Sequence, residues 1–283
     1  MKARIFDDRA CWLGEGLHWH PKRQELFWCD VHNKRLLRSG GDQWDFPVII
    51  SALAWVDEDR LLIGSERALH LFDITTGAHE EICALEADNP VTRSNDGRAD
   101  AHGGFWIGTM GKDHEKAAGS FYRYYRGEVR TIFTGIDVPN ALCFAPDGSH
   151  GFFTDTHDGR ILKMPLDKDG WPTGDPTVFC NPAADGWLPD GAVLDADGNL
   201  WNAQYGGSRV AAYGPDGAFL RAVEMGASQT TCPAFGGKDM TTLFCTSATQ
   251  TMTDAALAAE PGAGKTFFAE SVARGIPEFQ VIL

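Results

Sequence analysis

The chain has 283 residues, of which 43% are hydrophobic, so it can bury a large core in one domain or in two smaller ones. A formal net charge of −14 at pH 7 repels phosphate backbones and anionic membrane surfaces, which argues against nucleic-acid and membrane partners. With 32 glycines, 14 prolines and 11% aromatic residues, the composition favours many short strands joined by tight turns over long helices.

The N-terminal segment Met1–Asp8 lacks the apolar stretch of a signal peptide, and no apolar run approaches the roughly 20 residues that span a bilayer. We therefore expect a soluble, cytoplasmic protein. The seven cysteines are an odd number, are widely scattered and show no C-x-x-C spacing. This pattern predicts reduced and mostly buried thiols.

A repeat runs along the chain in which a polar residue is followed four positions later by an apolar one, then by a turn and a second apolar strand. The first copy runs from Glu15 to Trp19, turns at Pro21–Gln24 and enters Leu26–Trp28. Further copies begin, in chain order, at Ser51, Asn95, Asn140, Asp190 and Thr231. By subtraction, the six starts lie 36, 44, 45, 50 and 41 residues apart, a period typical of one four-stranded propeller blade. The sequence therefore predicts an all-β, six-bladed β-propeller that forms a single domain over residues 1–283.

The two ends of the chain also have the composition of strands. Ala3–Phe6 and Phe279–Leu283 are both predicted strands, and one is expected to complete the blade that the other begins. The one convincing helix is Asp254–Ala259, with Thr253 as its N-cap and Pro261 beyond its end. Two separate β-sandwiches are the alternative architecture, but they do not explain a period that continues through the middle of the chain.

The first residues of the six repeats, termed the lead residues, are all polar or acidic: Glu15, Ser51, Asn95, Asn140, Asp190 and Thr231. In a propeller, equivalent positions on the innermost strands face one end of the central channel. Carboxylates and carboxamides that converge there need a positive charge, and a divalent cation with oxygen ligands supplies it. The alternative is that the lead residues only form turns, which does not explain why they share one phase of the repeat.

At these residues the sequence resembles the SMP-30/gluconolactonase family, which includes regucalcin, over essentially its whole length. The similarity lies in several segments: Leu13–Gly16 with Trp19, Arg93–Gly97, Trp106–Met110, Gly119–Tyr122, Pro139–Asn140, Phe153–Thr156 and Pro189–Gly191.

The resemblance implies roles for individual residues. Glu15, Asn140 and Asp190 are the implied metal ligands, with Asp190 also the implied general base, while Arg93 and Asn95 look like substrate contacts. Asp113 lies in a segment that varies with substrate in the family, and it is a further candidate substrate contact. Leu17 departs from the proline that often follows the Gly-Glu-Gly motif, which is expected to alter the loop more than the metal site.

The resemblance implies a metal-dependent lactonase, a carboxylic ester hydrolase that acts on a sugar lactone, with one bound divalent cation. The hard oxygen ligands favour Ca²⁺, with Zn²⁺, Mn²⁺ or Mg²⁺ as alternatives. Two other functions stay open: a non-catalytic calcium-binding propeller similar to regucalcin, and a hydrolase of an acidic-sugar lactone, another lactone or a phosphoester. We expect a monomer or a weak dimer.

Overall fold

The computed structural model describes residues 1–283 and contains 24 β-strands, one 3₁₀-helix and one α-helix. The strands are β1 Arg4–Asp7, β2 Gly14–His20, β3 Glu25–Asp30, β4 Arg35–Arg38, β5 Gln43–Asp45, β6 Ile50–Trp55, β7 Arg60–Ser65, β8 Ala68–Asp73, β9 His79–Ala84, β10 Thr92–Ala99, β11 Phe105–Gly111, β12 Gly119–Tyr125, β13 Glu128–Ile136, β14 Pro139–Phe144, β15 His150–Asp155, β16 Ile161–Pro165, β17 Thr177–Cys180, β18 Leu188–Leu194, β19 Leu200–Tyr205, β20 Arg209–Tyr213, β21 Phe219–Glu224, β22 Thr230–Gly236, β23 Thr242–Ser247 and β24 Thr266–Ala269. The 3₁₀-helix is Pro182–Asp185 and α1 is Asp254–Ala259.

These strands form six antiparallel sheets of four strands each. Blades 1 to 5 are β2–β5, β6–β9, β10–β13, β14–β17 and β18–β21, each with its strands in sequence order from the inside outward. Blade 6 consists of β22, β23, β24 and, as its outermost strand, β1. The predicted six-bladed, all-β propeller is confirmed.

Burial decreases from the inner to the outer strands of a blade. In β3 five of the six residues are buried, whereas the outermost strand of blade 3, β13, contains no buried residue. An inner or second strand is covered on both faces by the neighbouring blades, so its sequence is apolar on both faces. The outermost strand faces solvent and contains only exposed and partly buried residues in blade 3.

The hydrophobic core is divided among six clusters, one in each gap between adjacent blades. The cluster between blades 6 and 1 joins the last blade to the first, and in it Trp19 stacks on Phe244 with ring centroids 5.8 Å apart. Because every gap contains such a cluster, each blade is stabilised on both sides and the ring closes without a free sheet face.

The predicted N-terminal strand forms and completes the last blade, whereas the predicted C-terminal strand does not form. β1 pairs with β24, with Arg4 opposite Phe268. The prediction of a strand at Phe279–Leu283 is wrong, because this segment bonds to different blades in turn: Val281 N–H donates to Trp55 and Ile282 N–H to Gly103. Such single bonds to separate sheets cannot form a ladder.

Two smaller predictions are confirmed. Helix α1 has the predicted bounds, and the Thr253 hydroxyl accepts a hydrogen bond from the Ala256 N–H. All seven cysteines are free thiols and six of them are buried. No helix in the chain has the length and apolar character needed to cross a membrane.

Each innermost strand carries an irregularity next to its lead residue. The strand register shifts within β2, β6, β10, β14, β18 and β22, and each shift begins at the lead residue or spans it. A bulge of this kind redirects side chains and is common beside functional sites. Since all six inner strands begin at the same end of the channel, the lead residues gather at that end.

Candidate functional site

A cavity of about 280 Å³ opens at the end of the channel where the inner strands begin. Four of the six lead residues line it: Glu15, Asn95, Asn140 and Asp190. Arg93, two residues before the lead of blade 3, lines it as well. The structure thus brings together in one cavity five of the six residues that the sequence singled out for the site.

The other two lead residues hold neighbouring inner strands together instead of facing the cavity. The Ser51 hydroxyl donates to the carbonyl of Asn95 at 2.6 Å, and the Thr231 hydroxyl donates to the carbonyl of Gly14 at 2.5 Å. Both side chains are fully buried. They fix the spacing between adjacent blades next to the residues that line the cavity.

A chain of hydrogen bonds orients the two carboxamides. Arg93 Nη1 donates to Asn95 Oδ1 at 2.8 Å, and Asn95 Nδ2 donates to Asn140 Oδ1 at 3.1 Å. Asn140 Nδ2 in turn donates to the Thr156 hydroxyl at 2.8 Å. Each amide oxygen therefore accepts one hydrogen bond and keeps a second lone pair for another partner.

The two carboxylates are buried without comparable support. No side chain donates a hydrogen bond to either, and Glu15 accepts only from the N–H of Gly16, at 3.2 Å. Burial, followed by the charge of Asp96, raises the pKa of Glu15 from 4.5 to about 8. Burial and then the charge of Glu15 raise the pKa of Asp190 well above its usual value. Two anions in this position need a positive partner in order to stay ionised.

Arg93 supplies only part of that charge. It is buried, and burial lowers its pKa from 12.5 to about 10 while Glu15 and Asp190 raise it. Its Nη1 is used by Ser94 and Asn95, whereas its Nε has no hydrogen-bond partner. An unpartnered buried donor of this type is costly, so Arg93 lies beside the cavity at a cost in stability.

The donor set fits a divalent cation bound by oxygen. The buried acids along the channel are Glu15, Asp96, Asp190 and Glu278, and the buried arginines are Arg93 and Arg98. Burial lowers the pKa of the nearby His18, which therefore adds no charge. When all six groups are ionised, four negative and two positive charges leave an excess of two negative charges, which one divalent ion balances. No group of three or more His, Cys, Asp and Glu side chains is placed to hold a metal, so a cation here would use amide oxygens beside two carboxylates.

Asp113 does not line the cavity. Its side chain is exposed, in the turn after β11, whereas its neighbour His114 lines the cavity wall. His114 has a positive φ of 59°, a conformation that turns this residue and its neighbour in different directions.

Sequence reasoning missed several residues around the mouth of the cavity: His114, His157, Tyr205 and Gln250. His157 Nδ1 lies 3.2 Å from the Asp137 carboxylate, and Gln250 donates to the Tyr205 hydroxyl at 3.2 Å. These residues lie at strand ends and in loops outside the repeated pattern. The one available signal was that His157 follows closely on the motif Phe153–Thr156.

Comparison with known protein families identifies a match over most of the chain. Residues 13–249 match the family described as the SMP-30/gluconolactonase/LRE-like region. Two similar relatives have lactonase names. An L-arabinolactonase of Azospirillum brasilense is 34% identical, over 95% of this chain and 92% of the relative. A pentonolactonase of Haloferax volcanii is 31% identical, over 96% of each chain.

Among solved structures, a calcium-binding protein, regucalcin, from Agrobacterium tumefaciens strain C58 has the same fold over nearly its full length. The two chains superimpose with a TM-score of 0.96 at 38% sequence identity, covering 99% of this chain and 97% of the other. The likeness therefore includes the loops at both ends of the propeller as well as its blades.

Proposed function

The chain belongs to the SMP-30/gluconolactonase/LRE-like family, and from this premise we propose that it is a divalent-cation-dependent lactonase that opens the ring of a small sugar lactone. The observation that carries the proposal is the cavity itself. Two buried carboxylates without side-chain donors face two amide oxygens and an arginine with an unpartnered Nε. Similar relatives named as arabinolactonase and pentonolactonase support the substrate class.

Glu15, Asn140 and Asp190 would hold the cation, and Asn95 is close enough to Asn140 to assist. A ligand set made only of oxygen is hard, which favours Ca²⁺, with Mn²⁺, Mg²⁺ and Zn²⁺ as alternatives. When bound, the cation supplies electrophilic activation of the lactone carbonyl and compensates the buried carboxylates.

Asp190 is the general base of the proposed reaction. Its carboxylate takes a proton from the water molecule whose oxygen attacks the carbonyl carbon, and it returns the proton to the ring oxygen when the carbon–oxygen bond of the ring breaks. The products are a hydroxyl group and the carboxyl group of the aldonic acid. Because no side chain donates to Asp190, one carboxylate oxygen would be free for this transfer while the other holds the cation.

Arg93 and Asn95 bind the sugar. Nη1 of Arg93 is anchored by the carbonyl of Ser94 at 2.8 Å, which fixes the guanidinium plane beside the cavity. The guanidinium group then donates to a hydroxyl or to the forming carboxylate of the substrate. A sugar ring that fills the cavity also displaces water from the two carboxylates.

A calcium-binding propeller without catalysis is the second candidate, and its support is the likeness to the calcium-binding regucalcin of Agrobacterium tumefaciens. Arg93 distinguishes the two functions, since a site that only binds a cation has no use for a buried guanidinium group beside it. A polyol or carboxylate ligand does need such a donor.

The test is a pH-indicator assay on metal-stripped protein. Ca²⁺, Mn²⁺, Zn²⁺ or Mg²⁺ is added back against five- and six-carbon aldonolactones, and acid release above spontaneous ring opening is measured. We expect one ion to restore turnover, and Glu15→Gln to need at least about tenfold more of that ion because it loses one ligand charge. Cation binding by calorimetry without any increase in rate would favour the non-catalytic function.

A further inference from the structure

The last ten residues, 274–283, cross the end of the channel opposite the cavity, and we term them the C-terminal strap. The carbonyl of Arg274 accepts from Ala196 of blade 5, and the N–H of Gly275 donates to Met240 of blade 6. Further along, the N–H of Val281 donates to Trp55 at the end of β6. The strap therefore closes the end of the channel where the inner strands finish.

Glu278 of the strap reaches back into the channel and forms an ion pair with Arg98. Both side chains are only 9% exposed. Arg98 is held further by the carbonyl of Leu142, 3.1 Å from its Nε, and Glu278 is fixed because its own carbonyl accepts from Trp55 Nε1 at 2.8 Å. The space beneath the strap is about 20 Å³, room for about one water molecule.

Arg98 connects this pair to the acidic end of the channel. It lies on β10 three residues after Asn95, and Asp96 lies between the two. Asp96 and Arg98 both bond to Leu142 of β14: the Asp96 carboxylate accepts from the Leu142 N–H at 2.8 Å, and Arg98 Nε donates to the Leu142 carbonyl at 3.1 Å. The ion pair and the acidic end of the channel are therefore joined through buried groups of the same inner strand, where screening by water is weak.

We propose that Glu278 is a positioning residue for the cation at the far end of the channel. By neutralising Arg98, it keeps the excess of two buried negative charges that a divalent ion requires. Without Glu278, the Arg98 charge is left uncompensated and the excess falls to one. This inference rests on the proposed function, because it assumes that Glu15, Asn140 and Asp190 bind a cation.

The size of the effect follows from distance. The three-residue step from Asn95 to Arg98 spans about 10 Å of strand, and Glu278 lies beyond it. At an effective dielectric constant of about 20 to 40, one unit charge at roughly 15 Å changes the affinity for a divalent ion about fivefold to fortyfold. Glu278→Gln, which keeps the shape and an acceptor oxygen for Arg98, should weaken cation binding by that factor.

The experiment is calorimetric titration of metal-stripped protein with Ca²⁺ and Mn²⁺, with the melting temperature of each variant measured alongside. Glu270→Gln is the matched control, since it removes the same charge from an exposed pair with Arg4 and should change the affinity less than twofold. With saturating cation, Glu278→Gln should reach the wild-type kcat, because the change acts on binding of the ion and not on the chemical step.

Arg98→Gln provides a test with the opposite sign. It removes a buried positive charge and should tighten cation binding. If the strap had only a structural role, both variants would bind the cation more weakly or not at all. This second variant also keeps the proposal testable if Glu278→Gln does not fold. Wild-type affinity in folded Glu278→Gln, or weaker binding by folded Arg98→Gln, would overturn the role of Glu278. Absence of cation binding by the wild-type protein would overturn the proposed function instead.

Discussion

Glu15 and Asp190 are the residues whose burial is hardest to explain by stability alone. Each residue is at most 6% exposed, and the charge of Glu15 raises the cost of ionising Asp190. Buried acids elsewhere in the chain are well paired: Asp100 accepts from Arg123 at 2.6 Å and from Trp106 at 2.8 Å. Ionisable groups that are buried at the mouth of a channel at a cost in stability are candidates for function.

The first prediction concerns Asp190→Asn. This change keeps the size of the side chain and one oxygen ligand but removes the base, so kcat for an aldonolactone at saturating cation should fall at least about 100-fold. A steady-state assay measures the fall in kcat, and parallel calorimetry reports whether the cation is bound. Asp169→Asn, in an exposed turn, is the control and should have wild-type activity. Full turnover by cation-loaded Asp190→Asn would remove Asp190 from the role of base.

The innermost strands are the elements that turn a repeated sequence into a site. Each has its bulge beside the lead residue, and in two of them the residue that follows the lead has a positive φ: Gly16 at 59° and Ala141 at 58°. The left-handed conformation directs the preceding lead side chain toward the channel while the rest of the strand continues in its ladder. Glycine takes this conformation without strain, and alanine pays about 1 kcal/mol or more.

The second prediction compares these two positions. In Gly16→Ala the new Cβ would lie 2.6 Å from the Ser51 carbonyl oxygen, so we expect the free energy of unfolding to fall by about 2–4 kcal/mol. Ala141→Gly relieves strain in the folded state but increases the conformational entropy of the unfolded chain. These effects oppose each other, so the free energy of unfolding should stay within about 1 kcal/mol of the wild-type value. Denaturant unfolding of both variants measures the difference, and equal stability of the two would contradict this account of the bulge.

At the scale of the whole molecule, the ring is closed at two places by the two ends of the chain. β1 completes blade 6, where Phe6 packs edge-on against Phe244 at 4.9 Å, and the C-terminal strap seals the far end of the channel. The channel is thus open only at the cavity, and its buried charges are shielded from solvent along the rest of its length. The stability of the whole fold should therefore depend on whether those charges are balanced.

The third prediction is a pH dependence of that stability. The folded-state pKa of Glu15, about 8, lies above its unfolded value of 4.5, so between these pH values the native protein binds more protons than the unfolded chain. Metal-stripped protein should accordingly lose stability as pH rises from about 5 to 8. A cation binds the ionised carboxylates, so the increase in melting temperature on adding Ca²⁺ should be larger at pH 8 than at pH 5.5.

Thermal melts at the two pH values, with chelator or with excess Ca²⁺, measure this difference. Glu15→Gln is the informative comparison, because loss of the titrating group should reduce the pH dependence of the metal-stripped protein. A Ca²⁺-induced shift of equal size at both pH values would contradict the link between cation binding and the buried carboxylates.

The sequence alone determined the number of blades, the phase of the repeat and the set of lead residues. These depend on local alternation, turn chemistry and a period near 45 residues, which are all readable without tertiary contacts. It also determined helix α1, since an N-cap and a following proline act within one turn of the chain.

Only the tertiary structure decided which lead residues face the cavity and which hold neighbouring strands together. Ser51 and Thr231 share the phase of Glu15 but donate to carbonyls of the next blade, which no local pattern records. The exposed position of Asp113, the histidines at the rim and the ion pair of Arg98 with Glu278 likewise depend on contacts between distant segments. Arg98 and Glu278 are 180 residues apart in the chain, and they meet only because the strap crosses the closed ring.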